Sequence, residues 1–316
     1  MTRDFHKRDK PLLPWSAGIP VVVGLMVGVL IFVFFAVFVF NDSSSLIELF
    51  AGMTTIMIAV FVGFLDDLNV RETKIRNYDY ENEQKRYVTG LSLRRWVKPL
   101  LTLPAAIPLM VINAGHSTAI LPWIGSVDLG LYYPLLIVPI GVVVGTNMIN
   151  MTGGYNGLEA GMGAVYTLTL GIFALTHGAP SAAVIFISAF GALLGVLRFN
   201  FFPARILSGD SLQYLLGAVL VTGAVLGDMQ KVTAVAVLPL IVNAAYKVYL
   251  RFFKLKFFPG ELGVLQRNGT IRSKYNRSYT IINLLLRKGR FTERQIVLVM
   301  IGIEAIFSIL AFLVFY

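Results

Sequence analysis

Along this 316-residue chain, apolar runs long enough to cross a lipid bilayer alternate with short polar segments. About 20 residues of apolar helix cross ~30 Å of hydrocarbon. The pattern predicts nine spans, near 18–40, 46–65, 97–113, 131–149, 161–176, 181–197, 212–227, 232–250 and 296–315. The runs are continuously apolar and do not alternate, which selects helices over a β-barrel, the other architecture that satisfies its backbone inside lipid. The expected fold is an all-α polytopic transmembrane bundle, one integral membrane domain over 1–316. Residues 1–17 read as a basic interfacial segment with Trp15 at headgroup level, and Ile281–Leu286 as a short amphipathic helix lying in the interface.

Composition agrees with the pattern. Hydrophobic residues make up 56% and charged residues 14%, with a mean hydropathy of +0.74, too little polar surface for a soluble chain of this size. No cysteine is present, so disulfides and thiolate metal sites are excluded. The first apolar run is too long for a cleavable signal peptide, and none is expected.

Charge orients the bundle. All but one of the 27 Lys and Arg residues lie at the N-terminus or in segments near 71–98, 198–205 and 247–294, and the alternate loops hold only Lys231. The positive-inside rule then puts the N-terminus in the cytoplasm and, after nine crossings, Tyr316 outside. The cytoplasmic loops fall near 66–96, 147–161, 198–211 and 251–295. The net charge of +10 serves this orientation and contact with anionic lipid, and nucleic acid is not expected as a partner. The sequon Asn41-Asp42-Ser43 falls on the outer side, those at Asn268 and Asn276 on the inner.

Costly polar residues collect at the cytoplasmic span ends. Asp66 and Asp67 are adjacent at a helix C-terminus, where they repel each other and meet the negative end of the helix dipole. Asn147 and Asn150, spaced i, i+3, share a helix face, and the glycine-rich stretch to Gly163 that follows holds Asn156 and Glu159. Asp210, in Gly209-Asp210-Ser211, precedes a span, where a carboxylate cap and a phosphate are both favoured. Donors that are all oxygen point to Mg2+ or Mn2+ and away from zinc. Lys98, Arg198 and Arg205 can supply cations to phosphate oxygens. A metal and cations at a membrane edge suit phosphoryl transfer between a soluble nucleotide and a lipid phosphate. A transporter is the competing class, disfavoured because the polar residues gather at one face and not at the midplane.

Four motifs in order carry a resemblance: Leu65-Asp66-Asp67; Asn147-Met148-Ile149-Asn150, followed by Asn156-Gly157-Leu158-Glu159-Ala160-Gly161; Phe202-Pro203-Ala204-Arg205; and Gly209-Asp210-Ser211. They resemble the polyprenyl-phosphate N-acetylhexosamine-1-phosphate transferases, and the Asn-Gly-Leu-Glu-Ala-Gly version is similar to the dolichyl-phosphate N-acetylglucosamine-phosphotransferase branch. Asp4-Phe5-His6-Lys7 and Ile282–Leu286 resemble further segments of that branch. The resemblance implies transfer of GlcNAc 1-phosphate from UDP-GlcNAc to dolichyl phosphate with release of UMP, the first step of lipid-linked oligosaccharide synthesis for protein N-glycosylation. A bacterial-type transferase for cell-envelope glycans is the alternative within the family. By position, Asn150 and Asp210 would bind Mg2+, Lys98 would hold the diphosphate, and Asp66 and Asp67 would orient or deprotonate the lipid phosphate. Asn147, Asn156, Glu159, Lys7 and Arg205 would face the substrates. The residues alone do not separate the roles of Asp66 and Asp67. Three departures stand out: nine expected spans against the family's ten; Asn69 one residue closer to the aspartates than usual; and Phe258–Gly263 in place of a Pro-x-His-Arg element, for which Arg267 or Arg272 would substitute. A homodimer is compatible with the sequence.

Overall fold

A computed structural model describes residues 2–4, 6–7, 9–69, 71–74, 87–90, 97–115, 118–121, 125–250, 252, 263–273 and 280–316. The expected helices are present: α1 (Gly18–Phe38), α2 (Leu46–Asn69), α3 (Val97–Thr102), α4 (Ile107–Val111), α5 (Val138–Asn150), α6 (Leu158–Thr176), α7 (Pro180–Asn200), α8 (Gly209–Leu226), α9 (Gln230–Ala236), α10 (Leu238–Tyr249), α11 (Ile281–Lys288) and α12 (Glu293–Phe315).

Among the described residues, seven helices are long and apolar enough to cross a membrane, or eight if the bent pair α9 and α10 makes one span. The ninth expected span, at 97–113, is the exception. It is a short apolar stretch, Val97–Val111, divided into α3, a 3-10 turn at Leu103–Ala106 and α4. Pro99, Pro104 and Pro108 explain the division, since each removes a backbone donor and clashes with the preceding turn. The same cause acts before α5, where a π-helical turn at Tyr133–Ile137 contains Pro134, and between α9 and α10, which meet at 76° just before Pro239.

Several helices outrun their apolar sequence. Helix α2 continues through Asp66 and Asp67, α6 starts at Leu158 and α8 at Gly209, so the polar motifs lie inside the end turns of helices. Four two-stranded antiparallel hairpins, absent from the sequence expectation, occupy connecting segments: β1 (Thr2–Arg3) with β2 (Leu12–Leu13), β3 (Arg71–Lys74) with β4 (Tyr87–Gly90), β5 (Thr118–Leu121) with β6 (Gly125–Asp128), and β7 (Val264–Leu265) with β8 (Ile271–Arg272). The amphipathic α11 is present, capped by the Thr280 hydroxyl at its start and by left-handed Gly289 at its end. A reciprocal Thr292–Gln295 capping box opens α12.

Helix α8 is the centre of the bundle. Its apolar window is 83% buried against 22% for α1, whose outer side is free to face lipid. Helices α2 and α5 pack along α8, α1 along α7, and α6 between α7 and α12. Small residues set the closest approaches: a Cβ on Gly217 would meet the backbone of Thr146 at 2.5 Å, and one on Gly63 would meet the Asp210 carbonyl oxygen at 2.6 Å. Tight backbone contact of this kind is how helices associate where burial of apolar surface gives no advantage over lipid.

Candidate active site at one end of the bundle

The C-terminal ends of α2, α5 and α7 meet the N-terminal ends of α3, α6, α8 and α12 at one end of the bundle, where the chain segment 4–17 also lies. Two linked polar clusters form there. The first is built on α8. Its first amides have no intrahelical partner, and Ser208 before it makes no side-chain cap. The Asp67 carboxylate of α2 takes that place: Oδ1 accepts the Asp210 N–H at 2.7 Å and Oδ2 accepts the Ser211 N–H at 3.2 Å. Oδ1 also accepts the indole N–H of Trp15. The expectation of Trp15 as a headgroup anchor is thus replaced by a contact inside the bundle end.

Asp66, one residue earlier, points elsewhere, because successive helical residues are turned by about 100°. It is 1% exposed and pairs with Lys98 Nζ at 2.5 Å. Lys98, from the first turn of α3, also reaches Asp210 Oδ2 at 2.6 Å. One ammonium thus bridges two carboxylates, and the Asp67 carboxylate lies behind them. Three acidic side chains share one cation in a mostly buried site, where a further cation would offset the charge they carry.

Two helix registers bring Asn150 to the level of this cluster. On α5, Gly145 and Thr146 lie against Gly217, so Asn150 falls toward the start of the antiparallel α8. The Asn147 amide reaches Thr102 Oγ1 at 3.4 Å, so the residues after Asn147 fall toward Lys98 on α3. Asn147 otherwise donates back to the Val143 carbonyl at 2.8 Å. Asn150 keeps a buried amide nitrogen with no hydrogen-bond partner. An orphaned buried amide costs about 1–3 kcal/mol, and a bound group would relieve it. Hard oxygen donors and acidic side chains fit a hexacoordinate cation such as Mg2+, which commonly takes one or two protein ligands and completes its shell with water and phosphate, while the open Asn150 N–H calls for an acceptor such as a phosphate oxygen.

The second cluster surrounds the loop before α6. Asn156 donates Nδ2–H to Asp4 Oδ2 at 2.8 Å and its backbone N–H to Glu293 Oε1 at 2.9 Å. Lys7 pairs with Asp4 at 3.0 Å and donates to the Ala204 carbonyl at 2.8 Å. His6 stacks on Tyr155 and lies 3.4 Å from Glu293 Oε1. Asp4, His6 and Glu293 form the one convergence of three histidine and acidic ligand atoms among the described residues. Their partners are protein groups that already knit the N-terminal segment to α12. Glu159 is buried and ties α6 to α8, accepting from the Gly154 N–H at 3.1 Å, from Gln213 at 2.9 Å and from Ser208 at 3.1 Å.

The structure therefore brings Asp66, Asp67, Lys98 and Asp210 into one cluster, with Asn147 and Asn150 beside it, and places Asn156, Lys7 and Glu159 in its framework. Arg198 and Arg205 are exposed, as are Arg267 on the β7–β8 turn and Arg272, which packs alongside Gly289. The Asn69 side chain, Phe258–Leu262, His116, Asn276 and the basic loop with Tyr78 and Tyr80 lie outside the described residues. Trp15, Gln213 and Glu293 belong to the site without having been expected in it. Only the cap logic at Gly209-Asp210-Ser211 hinted that α8 needed an outside acceptor.

Gly209 is a direct test of this arrangement. Its φ of +70° suits glycine, and a Cβ there would stand 2.5 Å from Asp67 Oδ2 and 2.7 Å from the Trp15 indole nitrogen. Left-handed backbone alone costs a non-glycine residue ~1–3 kcal/mol. Gly209→Ala is expected to lower the thermal midpoint by at least about 2 °C. An unchanged midpoint would show that Trp15 and Asp67 move aside freely.

Comparison with known proteins agrees with this architecture. A Saccharolobus solfataricus protein, named provisionally as a UDP-N-acetylglucosamine–dolichyl-phosphate N-acetylglucosaminephosphotransferase, is 28% identical over 98% of this chain and 86% of its own. The enzyme of that name from Dictyostelium discoideum is 27% identical over 98% of this chain and 80% of its own. The phospho-N-acetylmuramoyl-pentapeptide-transferase of Streptococcus thermophilus is 30% identical over 65% of this chain and 58% of its own. Residues 49–228, which run from α2 through the end of α8 and hold Asp66, Asp67, Lys98, Asn150 and Asp210, match the pattern described as Glycosyl transferase family 4, and the chain belongs to that family.

Proposed function

We propose that this integral membrane protein transfers GlcNAc 1-phosphate from UDP-GlcNAc to dolichyl phosphate and releases UMP. The observation that carries the reading is the Lys98 ammonium held between Asp66 and Asp210 at the end of a membrane bundle. There a lipid phosphate and a soluble nucleotide can meet. An oxygen of the lipid phosphate attacks the phosphorus that bears the sugar, a new P–O bond forms, and the P–O bond to UMP breaks. The lipid phosphate is already ionised at neutral pH, so the chain's task is to position and neutralise.

Lys98 supplies positive charge to the diphosphate, and Asp210 and Asn150 are the residues that would hold Mg2+. When bound, Mg2+ would neutralise charge on the diphosphate oxygens. Asp66, which pairs with Lys98 and not with the α8 amides, would align Lys98 for the acceptor phosphate, while Asp67 holds α8 in place. The positive-inside bias supports a cytoplasmic N-terminus and active site with Tyr316 outside.

The test uses purified protein with labelled UDP-GlcNAc, dolichyl phosphate and Mg2+, with and without EDTA. Expected are a labelled lipid diphosphate and stoichiometric UMP, both abolished by EDTA and restored by excess Mg2+ or Mn2+. Parallel reactions with UDP-GalNAc and UDP-N-acetylmuramoyl-pentapeptide separate the donors. Transfer only from the muramoyl donor, or UMP release that resists EDTA, would overturn the reading.

A further inference from the structure

We propose that Trp15 is a positioning residue for this site: its indole N–H holds the Asp67 carboxylate under the first turn of α8, and so sets where Asp210 stands relative to Lys98. Interfacial tryptophans ordinarily place the indole among lipid headgroups. Here the indole is half-buried and donates to Asp67 Oδ1, the same oxygen that accepts the Asp210 N–H. Three further contacts lock the segment that carries it. The Leu207 N–H donates to the Pro14 carbonyl at 2.9 Å, and the Ala17 N–H donates to the Ser208 carbonyl at 3.0 Å, so residues 14–17 run against the entry to α8. A Cβ on Gly18 would collide with the Ser211 backbone, so the start of α1 is pressed on the same turn. Gly209 lies directly beneath the indole, with a Cβ position 2.7 Å from its Nε1.

The Asp67 carboxylate is thus held from two sides. Backbone amides of α8 fix one edge, and the indole sets its rotation from the other. Without the indole, the carboxylate keeps the Asp210 and Ser211 N–H donors and the neighbouring Ser16 hydroxyl, but loses the rigid donor that fixes its rotation from outside α8. The first turn of α8 then loses its outside acceptor for part of the time, and with it the fixed direction of Asp210. The chain's N-terminal segment, remote in sequence from every residue of the cluster, becomes part of the catalytic geometry.

The experiment compares full-length Trp15→Phe and Trp15→Tyr with wild type, all purified. Phenylalanine keeps an apolar ring without a donor; tyrosine keeps an interfacial aromatic with its hydroxyl elsewhere. The first readout is hydrogen–deuterium exchange of a peptide spanning 207–214, which needs no substrate. Both variants are expected to exchange the Asp210 and Ser211 amides at least about 10-fold faster, with peptides from α6 and α12 unchanged. The second readout rests on the proposed reaction: kcat is expected to fall ~10-fold with KM for UDP-GlcNAc within about twofold, the size of effect that partners behind a site residue produce. Asp67→Asn combined with Trp15→Phe should be no worse than Asp67→Asn alone, because both act through one contact.

Unchanged α8 exchange, or a Tyr variant indistinguishable from wild type in both readouts, would return Trp15 to an ordinary anchor. An inactive wild-type preparation would sink the proposed reaction and leave the exchange result to decide this inference. Should the variants not fold, the indole N–H resonance of Trp15 in wild type and Asp67→Asn decides: an unmoved resonance overturns the contact.

Discussion

Asp210→Asn is expected to lower kcat for sugar-phosphate transfer by about 10²–10³-fold, the loss typical of removing one preorganised electrostatic group from an active site. The substitution keeps the backbone N–H that Asp67 accepts, so the start of α8 stays capped. It also leaves Lys98 its second partner, Asp66, at 2.5 Å. What it removes is the charge that aligns Lys98 and would bind the metal. The loss should therefore fall on turnover while the thermal midpoint moves little. Steady-state kinetics at saturating donor and acceptor check it; turnover within about threefold of wild type would remove Asp210 from the reacting groups.

Lys98→Met carries the second large effect, and on two quantities at once. The Asp66 carboxylate, 1% exposed, would lose its ammonium and face Asp210 with no cation between them. Breaking a buried ion pair from one side costs about 3–5 kcal/mol, because the remaining charge is left uncompensated. A marked fall in thermal midpoint and at least a ~10²-fold fall in turnover are expected together. The double variant Lys98→Met with Asp66→Asn separates the two. It removes the stranded charge, so stability should recover while turnover does not. Recovery of both would mean that Lys98 serves the fold alone and that the diphosphate finds its cation elsewhere.

Both predictions concern residues that sequence reasoning marked, though their division of labour was hidden from it. Asp66 and Asp67 are neighbours in a polar helix end, and nothing in their order separates them. The helical turn between them sends Asp66 to Lys98 and Asp67 to the amides of α8, 143 and 144 residues on. The resemblance places Asn156 and Glu159 at the substrates. In three dimensions they are joined to Asp4, Glu293, Ser208 and Gln213. Trp15 carried only the generic signature of a membrane edge. Glu304, in the middle of α12 with both oxygens buried and unpartnered, went unmarked because one carboxylate barely lowers the hydropathy of a long apolar window.

The sequence by itself determined what each segment must do with its solvent. Long apolar runs require helices in lipid, prolines break the stretch at 97–111 and the step from α9 to α10, and the polar residues that remain must gather at helix ends. These are properties of neighbours along the chain, and the periodicity and composition of a few turns express them fully. Only the tertiary structure decided which polar group meets which. Those pairings depend on how closely helices approach at Gly63, Gly145 and Gly217, and on a fold-back of residues 14–17 against the entry to α8. A shift of one helical residue, about 1.5 Å and 100°, would hand every one of these side chains a different partner.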